Sequence, residues 1–303
     1  MNIVEIENVT KTFGEHTAVD DLTLAVPQGS IYGFIGPNGS GKTTTLRMIM
    51  SVIYADHGMI KVFGEQASGA CSERIGYLPE ERGLYKKMKV RELLRFYGGL
   101  KKGVPIHDEV DRWLEMFDLT EWANKKVGAL SKGMSQKVQF ISTVVSNPEL
   151  IILDEPFTGL DPVNTDTIRA SILDLRDKGA TIIFSTHDMA IAEKMCDFIF
   201  MIFQGKKVLD GTLTSIQGQY GHDTLRISCA NGRDVLHDIP GVDRVNDHGQ
   251  LQELHMVADA DPQKIVAEIM SRTRVNSFEM STPSLHDIFV RIAGPEAKEV
   301  NNA

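Results

Sequence analysis

Apolar positions along this chain change their period several times, and each change marks an element. The opening MNIVEIENVTKTFG reads as a strand, and Ser30–Ile35 as a buried strand carrying an aromatic. Thr44–Met50 switches to helical spacing, with Leu46, Ile49 and Met50 as its apolar positions. From about residue 84 to 147 helical patterns alternate with short loops: VRELLRFYGGL, IHDEVDRWLEMFDL and MSQKVQFISTVVS. Apolar runs of strand length recur at Ile151–Leu153, Thr181–Phe184 and Phe198–Phe203. Past Gly211 the stretch GTLTSIQGQYGHD is rich in Gly, Gln, Ser and Thr and predicts a linker. Beyond it DTLRISC, QLQELHMVA and RVNSFEM predict strands, DPQKIVAEIMS and PSLHDIFVRI predict helices, and GPEAKEVNNA closes as a polar tail. The pattern predicts an α/β domain over residues 1–215 and a smaller α+β accessory domain over 216–303.

Composition narrows the reading. At 303 residues the chain is long enough for about two domains, and 42% hydrophobic with 24% charged residues is ordinary for a globular protein. A net charge of −9, from 32 basic and 41 acidic side chains, argues against a generic nucleic-acid binder. Cys71, Cys196 and Cys229 are too few and too scattered for a disulfide framework or a CxxC metal site, so reduced thiols are expected. His222, His237, His248, His255 and His286 lack metal-ligand spacing and are expected at the surface. The N-terminus has no cationic segment followed by a long apolar run, and the longest apolar candidate, Phe198–Phe203, falls far short of the ~20 residues of a membrane helix. No membrane span is expected.

Two motifs carry chemistry. Gly36-Pro37-Asn38-Gly39-Ser40-Gly41-Lys42-Thr43 fits GxxxxGK[ST] and lies between a predicted buried strand and a predicted helix that opens at Thr44. Glycines let backbone N–H groups curl around phosphate oxygens, and the helix start adds partial positive charge. Lys42 reaches the β- and γ-phosphates, and the Thr43 hydroxyl is a magnesium ligand. The second motif is Ile151-Ile152-Leu153-Asp154-Glu155-Pro156, an apolar strand that stops on two adjacent carboxylates. Like charges at a buried strand end are costly unless something uses both. Beside a phosphate cradle, Asp154 serves magnesium, and Glu155 faces the γ-phosphate as a base for attacking water. The two motifs predict a bound nucleotide and Mg²⁺.

In LSKGM, Ser131 is expected to N-cap a helix that starts near Met134, with Gly133 permitting close backbone approach. Such a helix start is a second anion site, although the chain's own cradle already holds its nucleotide. A head-to-tail dimer, each Ser131–Gly133 turn capping the partner's ATP, is the economical reading. Here the chain resembles the nucleotide-binding subunits of ABC transporters, whose LSGGQ signature lies just ahead of the second acidic strand. It departs at Lys132 and Met134, in the manner of drug- and sodium-exporter ATPases.

The resemblance covers roughly residues 1–215 and orders the remaining motifs. The resemblance implies that GLDP is a D-loop with Asp161 at the dimer seam, that His187 after IIFST is the switch histidine at the γ-phosphate, and that Phe13 stacks on adenine. Where the family has glutamine the chain has Glu80, followed by Glu81; Glu80 is taken as a further magnesium ligand. SLHDIFVRI resembles the C-terminal extension of exporter-type ATPases. The resemblance implies an ABC cassette: a mixed sheet core, an antiparallel β part and a helical subdomain over about 84–147 whose lysines could meet a partner. It further implies an ATPase motor, with ATP and Mg²⁺ as cofactors, that drives a separate polytopic permease for export, is cytoplasmic and peripheral on the inner face of the cell membrane through that permease, and pairs with a second copy or a homologous ATPase subunit. No nucleic-acid partner is expected. The competing reading is a soluble ABC ATPase acting on ribosomes or nucleic acid.

Overall fold

The computed structural model describes residues 1–68, 73–81, 83–102, 106–220, 224–230, 232–247, 249–257 and 260–294. Cys71, His222 and His248 lie outside them, as do the side chains of Lys101 and Lys102. The chain divides into two compact units, Met1–Thr212 and a second from Leu213 onward.

The first unit is built on a six-stranded sheet. Its centre holds three parallel strands, β3 (Ile31–Ile35), β8 (Thr181–Thr186) and β7 (Leu150–Asp154), and every residue of the three is buried. Two further parallel strands flank them, β6 (Ile75–Leu78) beside β7 and β9 (Phe198–Phe203) beside β3. β10 (Lys206–Gly211) closes the β9 edge antiparallel. Burial on both faces explains the near-continuous apolar runs in the sequence. Alternate residues feed two cores: Ile151, Leu153, Ile182 and Phe184 join the cluster containing Trp113, Phe117 and Phe140. Leu150, Ile152, Ile183 and Phe200 join the cluster that includes Val4, Ile6, Leu22 and Leu46.

That second cluster is covered by an antiparallel sheet of β1 (Asn2–Phe13), β2 (His16–Pro27), β4 (His57–Val62) and β5 (Glu65–Gln66). The helix α1 (Lys42–Ile49) contributes Leu46, Met48 and Ile49 to the same cluster. The first cluster takes in the helical region: α2 (Val90–Lys102), α3 (His107–Met116) and α4 (Lys132–Val144). α5 (Pro162–Asp177) follows β7, and α6 (Met189–Met195) follows β8. Mixed sheet, antiparallel β part and helical region are the parts expected of the fold class.

The second unit pairs β12 (Val242–Asp247), β13 (Gln252–Met256), β11 (Thr224–Cys229) and β14 (Val275–Ser281) in an antiparallel sheet. α8 (Pro262–Arg272) covers one face, packing Ile265, Val266 and Ile269 against Leu225, Ile227, Leu254 and Met256. The segment read as a linker differs from expectation, because Leu213–Tyr220 forms a helix, α7. Its poor helix formers are overridden by packing: Ile216 is buried, and Gln217 donates to the Pro283 carbonyl ahead of α9 (Leu285–Ala293). A capping box at Ser284 and Asp287 starts α9.

His237 and His286 are exposed, but His255 is buried, which corrects its placement at the surface. Its ring joins Glu253 and Asp287, whose ligand-type atoms all lie within 4.8 Å of one another. Guanidinium nitrogens of Arg244 and Arg291 stand 3.2 and 3.3 Å from the two ring nitrogens, and Arg226 donates to Glu253 at 2.8 Å. Arginines already stand against both ring nitrogens and against Glu253, so these polar groups are bonded within the protein.

Candidate nucleotide site

The loop from Gly36 to Gly41 joins β3 to α1, and its shape depends on two glycines. Gly36 has φ +153°, and a Cβ there would lie 2.2 Å from the Ile202 carbonyl oxygen. Gly41 has φ +112°, and a Cβ would lie 2.4 Å from the Ala18 carbonyl oxygen. No side chain fits at either point. Asn38, Gly39, Ser40, Gly41, Lys42, Thr43 and Thr44 line an open cleft of about 430 Å³ together with Phe13, His16, Ala18, Glu80 and Glu155. Gly36 and Pro37 do not line the cleft; their carbonyls accept hydrogen bonds from the Lys42 ammonium at 2.7 and 3.0 Å.

Lys42 is 6% exposed. Burial pulls its ammonium below the usual lysine range, while Glu155, Asp154 and Glu80 act in the opposite direction. Phe13 ends β1 half exposed rather than in the core, with the Lys11 ammonium 5.4 Å from its ring centre. Glu80 faces the cleft and Glu81 does not, so the two adjacent acids are separated by the backbone turn.

Asp154 ends β7 fully buried. Its Oδ1 accepts from the Thr43 hydroxyl at 3.2 Å and from the Ser185 hydroxyl at 2.5 Å, whereas Oδ2 is buried with no hydrogen-bond partner. A buried carboxylate oxygen without a donor is costly, and a hydroxyl beside it supplies a second hard oxygen. That donor set fits a magnesium ion. Glu155 has a left-handed backbone, φ +50°, unusual for a residue with a side chain. Its N–H donates to Ser185 Oγ at 3.0 Å. Its carboxylate, 8% exposed, accepts from the Thr158 hydroxyl at 3.1 Å and meets His187 Nδ1 at 3.0 Å, with the Lys42 ammonium 4.0 Å away.

The residues of LSKGM and GLDP stand apart from this cleft. Ser131 caps α4 and accepts from the Met134 N–H, so the helix begins at Lys132, two residues earlier than the motif suggested. Gly133 therefore sits inside the first turn, where a Cβ would lie 3.2 Å from the Asn164 side-chain nitrogen. Asp161 caps α5 and accepts from both nitrogens of Asn164, which holds its carboxyl below the usual range.

Four contacts escape motif reading. Ser185 and Thr158 are described above; Gln136 and Gln139 project from α4. Gln136 donates to the carbonyls of Pro156 and Thr158, and Gln139 to those of Pro79 and Glu81. Only Ser185 left a trace in the sequence, as a polar residue at the end of an apolar strand.

Comparison with known proteins settles the family. Residues 19–158 match the family model described as ABC transporter, and residues 211–293 match that of the ATP-binding protein DrrA1-3-like, C-terminal domain. The chain is 40% identical over 295 residues to the uncharacterized ABC transporter ATP-binding protein YhaQ of Bacillus subtilis (strain 168), covering 96% of this chain and 99% of that protein. The chain belongs to the ABC transporter ATP-binding proteins. Members of this family are ATPases, so the chain is an ATP-hydrolysing subunit. Among other ABC relatives is the Nod factor export ATP-binding protein I of Sinorhizobium fredii (strain NBRC 101917 / NGR234), 31% identical over 98% of this chain and 87% of its own length. The linearmycin resistance ATP-binding protein LnrL of Bacillus subtilis (strain 168) is 30% identical over 96% of this chain and 98% of its own. A solved ATP-binding subunit of an ABC transporter superposes with a TM-score of 0.68 at 30% identity, over 72% of this chain and 93% of its own. No helix among the described residues is long and apolar enough to cross a membrane.

Proposed function

We propose that this ABC ATPase is the motor of an exporter: two ATPase subunits close on two Mg-ATP and drive a separate polytopic permease. The observation that carries the reading is Glu155, a largely buried carboxylate held at the cleft by Thr158, His187 and the nearby Lys42. A base placed there takes the proton of a water attacking the γ-phosphate. Its bonds to Thr158 and His187 fix the direction in which its oxygens point, and His187, 55% exposed, is free to turn its other ring nitrogen to the γ-phosphate.

The remaining roles follow from the donors. The cradle from Gly36 to Thr44 takes the phosphates, with Lys42 exchanging the carbonyls of Gly36 and Pro37 for phosphate oxygens. Thr43 and Asp154 hold magnesium, and Glu80 adds a third oxygen donor from across the cleft; the ion neutralises phosphate charge and orients it. Phe13 offers an exposed ring to the adenine. Ser131 and Gly133 complete the partner's site, and Asp161 stands at the seam. None of these three lines its own chain's cleft, which supports their use in trans.

The permease docks over a groove lined by Tyr77, Pro79, Leu84, Tyr97, Leu100 and Gln139, beside the exposed rings of Tyr85 and Phe96. This holds the subunit at the inner face of the cell membrane. The exporter-type names of two relatives support the direction of transport. The ATPase domain covers about residues 1–215 and the accessory domain residues 216–303.

One preparation tests the motor and its load together. Full-chain Glu155→Gln, purified from native membranes in mild detergent with ATP, should bind ATP while hydrolysis falls roughly 10²–10⁴-fold. A polytopic membrane protein should accompany it. Unchanged turnover would remove Glu155 as the base, and recovery only with ribosomes or nucleic acid would overturn the transporter reading.

A further inference from the structure

The acidic pair at the end of β7 does not hold its own geometry. Parallel pairing sets Asp154 beside Ser185 of β8, and Ser185 is fully buried. Its single hydroxyl does two things at once. It donates its proton to Asp154 Oδ1 at 2.5 Å and accepts the Glu155 N–H at 3.0 Å. Ser185 itself does not line the cleft. The second bond falls on a residue whose φ of +50° an L-amino acid adopts at a cost unless its surroundings enforce it.

We infer that Ser185 is the positioning residue of this ATPase site, setting the direction of the Asp154 carboxylate and the left-handed turn that aims Glu155. The inference rests on the roles given above to Asp154 and Glu155. The physical argument concerns the hydroxyl's polarity. Asp154 Oδ1 needs donors, and the Glu155 N–H needs an acceptor. A hydroxyl is the smallest side-chain group that supplies both from one atom. Thr43 also donates to Oδ1, but it comes from α1 on the cleft side and would be drawn to a metal. Ser185 is therefore the contact that remains when magnesium binds, and it prevents the carboxylate from rotating to follow Thr43. With a methyl group in its place, Asp154 keeps one donor, the Glu155 N–H loses its acceptor, and the Glu155 backbone relaxes toward negative φ. The base then swings away from Thr158 and His187.

The test uses the full chain with three variants, Ser185→Ala, Ser185→Thr and Glu155→Gln, and two readouts. The first is binding of a fluorescent ATP analogue as a function of magnesium concentration; the second is steady-state hydrolysis. Ser185→Ala should bind the analogue without magnesium as wild type does. The magnesium concentration that half-maximally enhances binding should rise about 3–30-fold, and kcat should fall about 10–100-fold with little change in KM. Ser185→Thr keeps the hydroxyl on a strand that favours a β-branched residue and should restore both readouts to within a few-fold. Wild-type magnesium dependence and kcat in Ser185→Ala, alongside the expected collapse of Glu155→Gln, would overturn the inference and leave the site reading intact. If Glu155→Gln itself hydrolyses normally, the site reading fails first. An equal fall in binding with and without magnesium would show a general loss of structure and would also overturn it, a conclusion that thermal melting of the same samples checks. Failure of Ser185→Thr to recover, in a variant that melts as wild type does, would show that packing rather than the hydroxyl matters.

Discussion

Strands β7 and β13 are both five residues long and buried throughout, yet they treat charge in opposite ways. β7 is apolar until its last residue, and its faces feed two hydrophobic cores. Its charge emerges only where the strand leaves the sheet, at Asp154, with one carboxylate oxygen left without a hydrogen-bond partner. β13 places Glu253 and His255 mid-strand on one face, with Leu254 and Met256 in the hydrophobic cluster of the other. Those polar groups are met by arginines of the same unit. Buried charge alone does not identify a site. Charge whose bonding capacity is left open at a strand end does, because a ligand is then the missing partner.

Disrupting the strand-end site should produce the largest effect. Gly36→Ala puts a methyl group against the Ile202 carbonyl and should abolish measurable ATP binding, a loss of at least ~100-fold if the backbone can no longer follow the phosphates. Titration with a fluorescent ATP analogue checks this, and wild-type affinity would show that the loop can reshape. The mid-strand layer should respond in the other currency, stability. Glu253→Ala removes the shorter of the two ion pairs of Arg226, leaving Glu279 at 3.9 Å, and should destabilise the second unit by about 1–3 kcal/mol, read by denaturant titration, while ATP affinity stays within about two-fold. A matching loss of ATP affinity would show that the layer supports the site. The smallest effect separates Glu80 from Glu81: Glu80→Ala should raise the magnesium needed for hydrolysis by a few-fold, and Glu81→Ala should not. Equal, small changes in both would remove Glu80 from the metal set.

The same contrast explains what the amino-acid sequence made legible. The cradle and the acidic strand are each an unbroken stretch of chain, because the chemistry of each comes from backbone turns and adjacent residues. The α/β class followed from strands that are apolar on both faces. Ser185 leaves only a trace in the sequence, a polar residue near the end of an apolar strand, since its role depends on the register that sets β8 beside β7. Gln136 and Gln139 look like helix-surface residues until the loops they bind are placed. The burial of His255 is hidden in the sequence because the side chains that meet its ring nitrogens come from β12 and α9, 11 and 36 residues away in the chain. α7 was missed for a related reason: Gly218 and the surrounding Ser, Thr and Gln weaken local helix preference, and Ile216 restores it only through tertiary packing.

The two glutamines of α4 have a mechanical consequence. Positions 136 and 139 are one turn apart, about 4.5 Å along a rigid helix. One glutamine grips the loop that follows Glu155, and the other grips the loop that bears Glu80. The cradle is carried separately, by α1. Thermal displacement of α4 is therefore common-mode for the two acid-bearing loops and differential with respect to the cradle. The spacing between the loops is filtered from that noise, and the gap between those loops and the cradle is the coordinate left free to change.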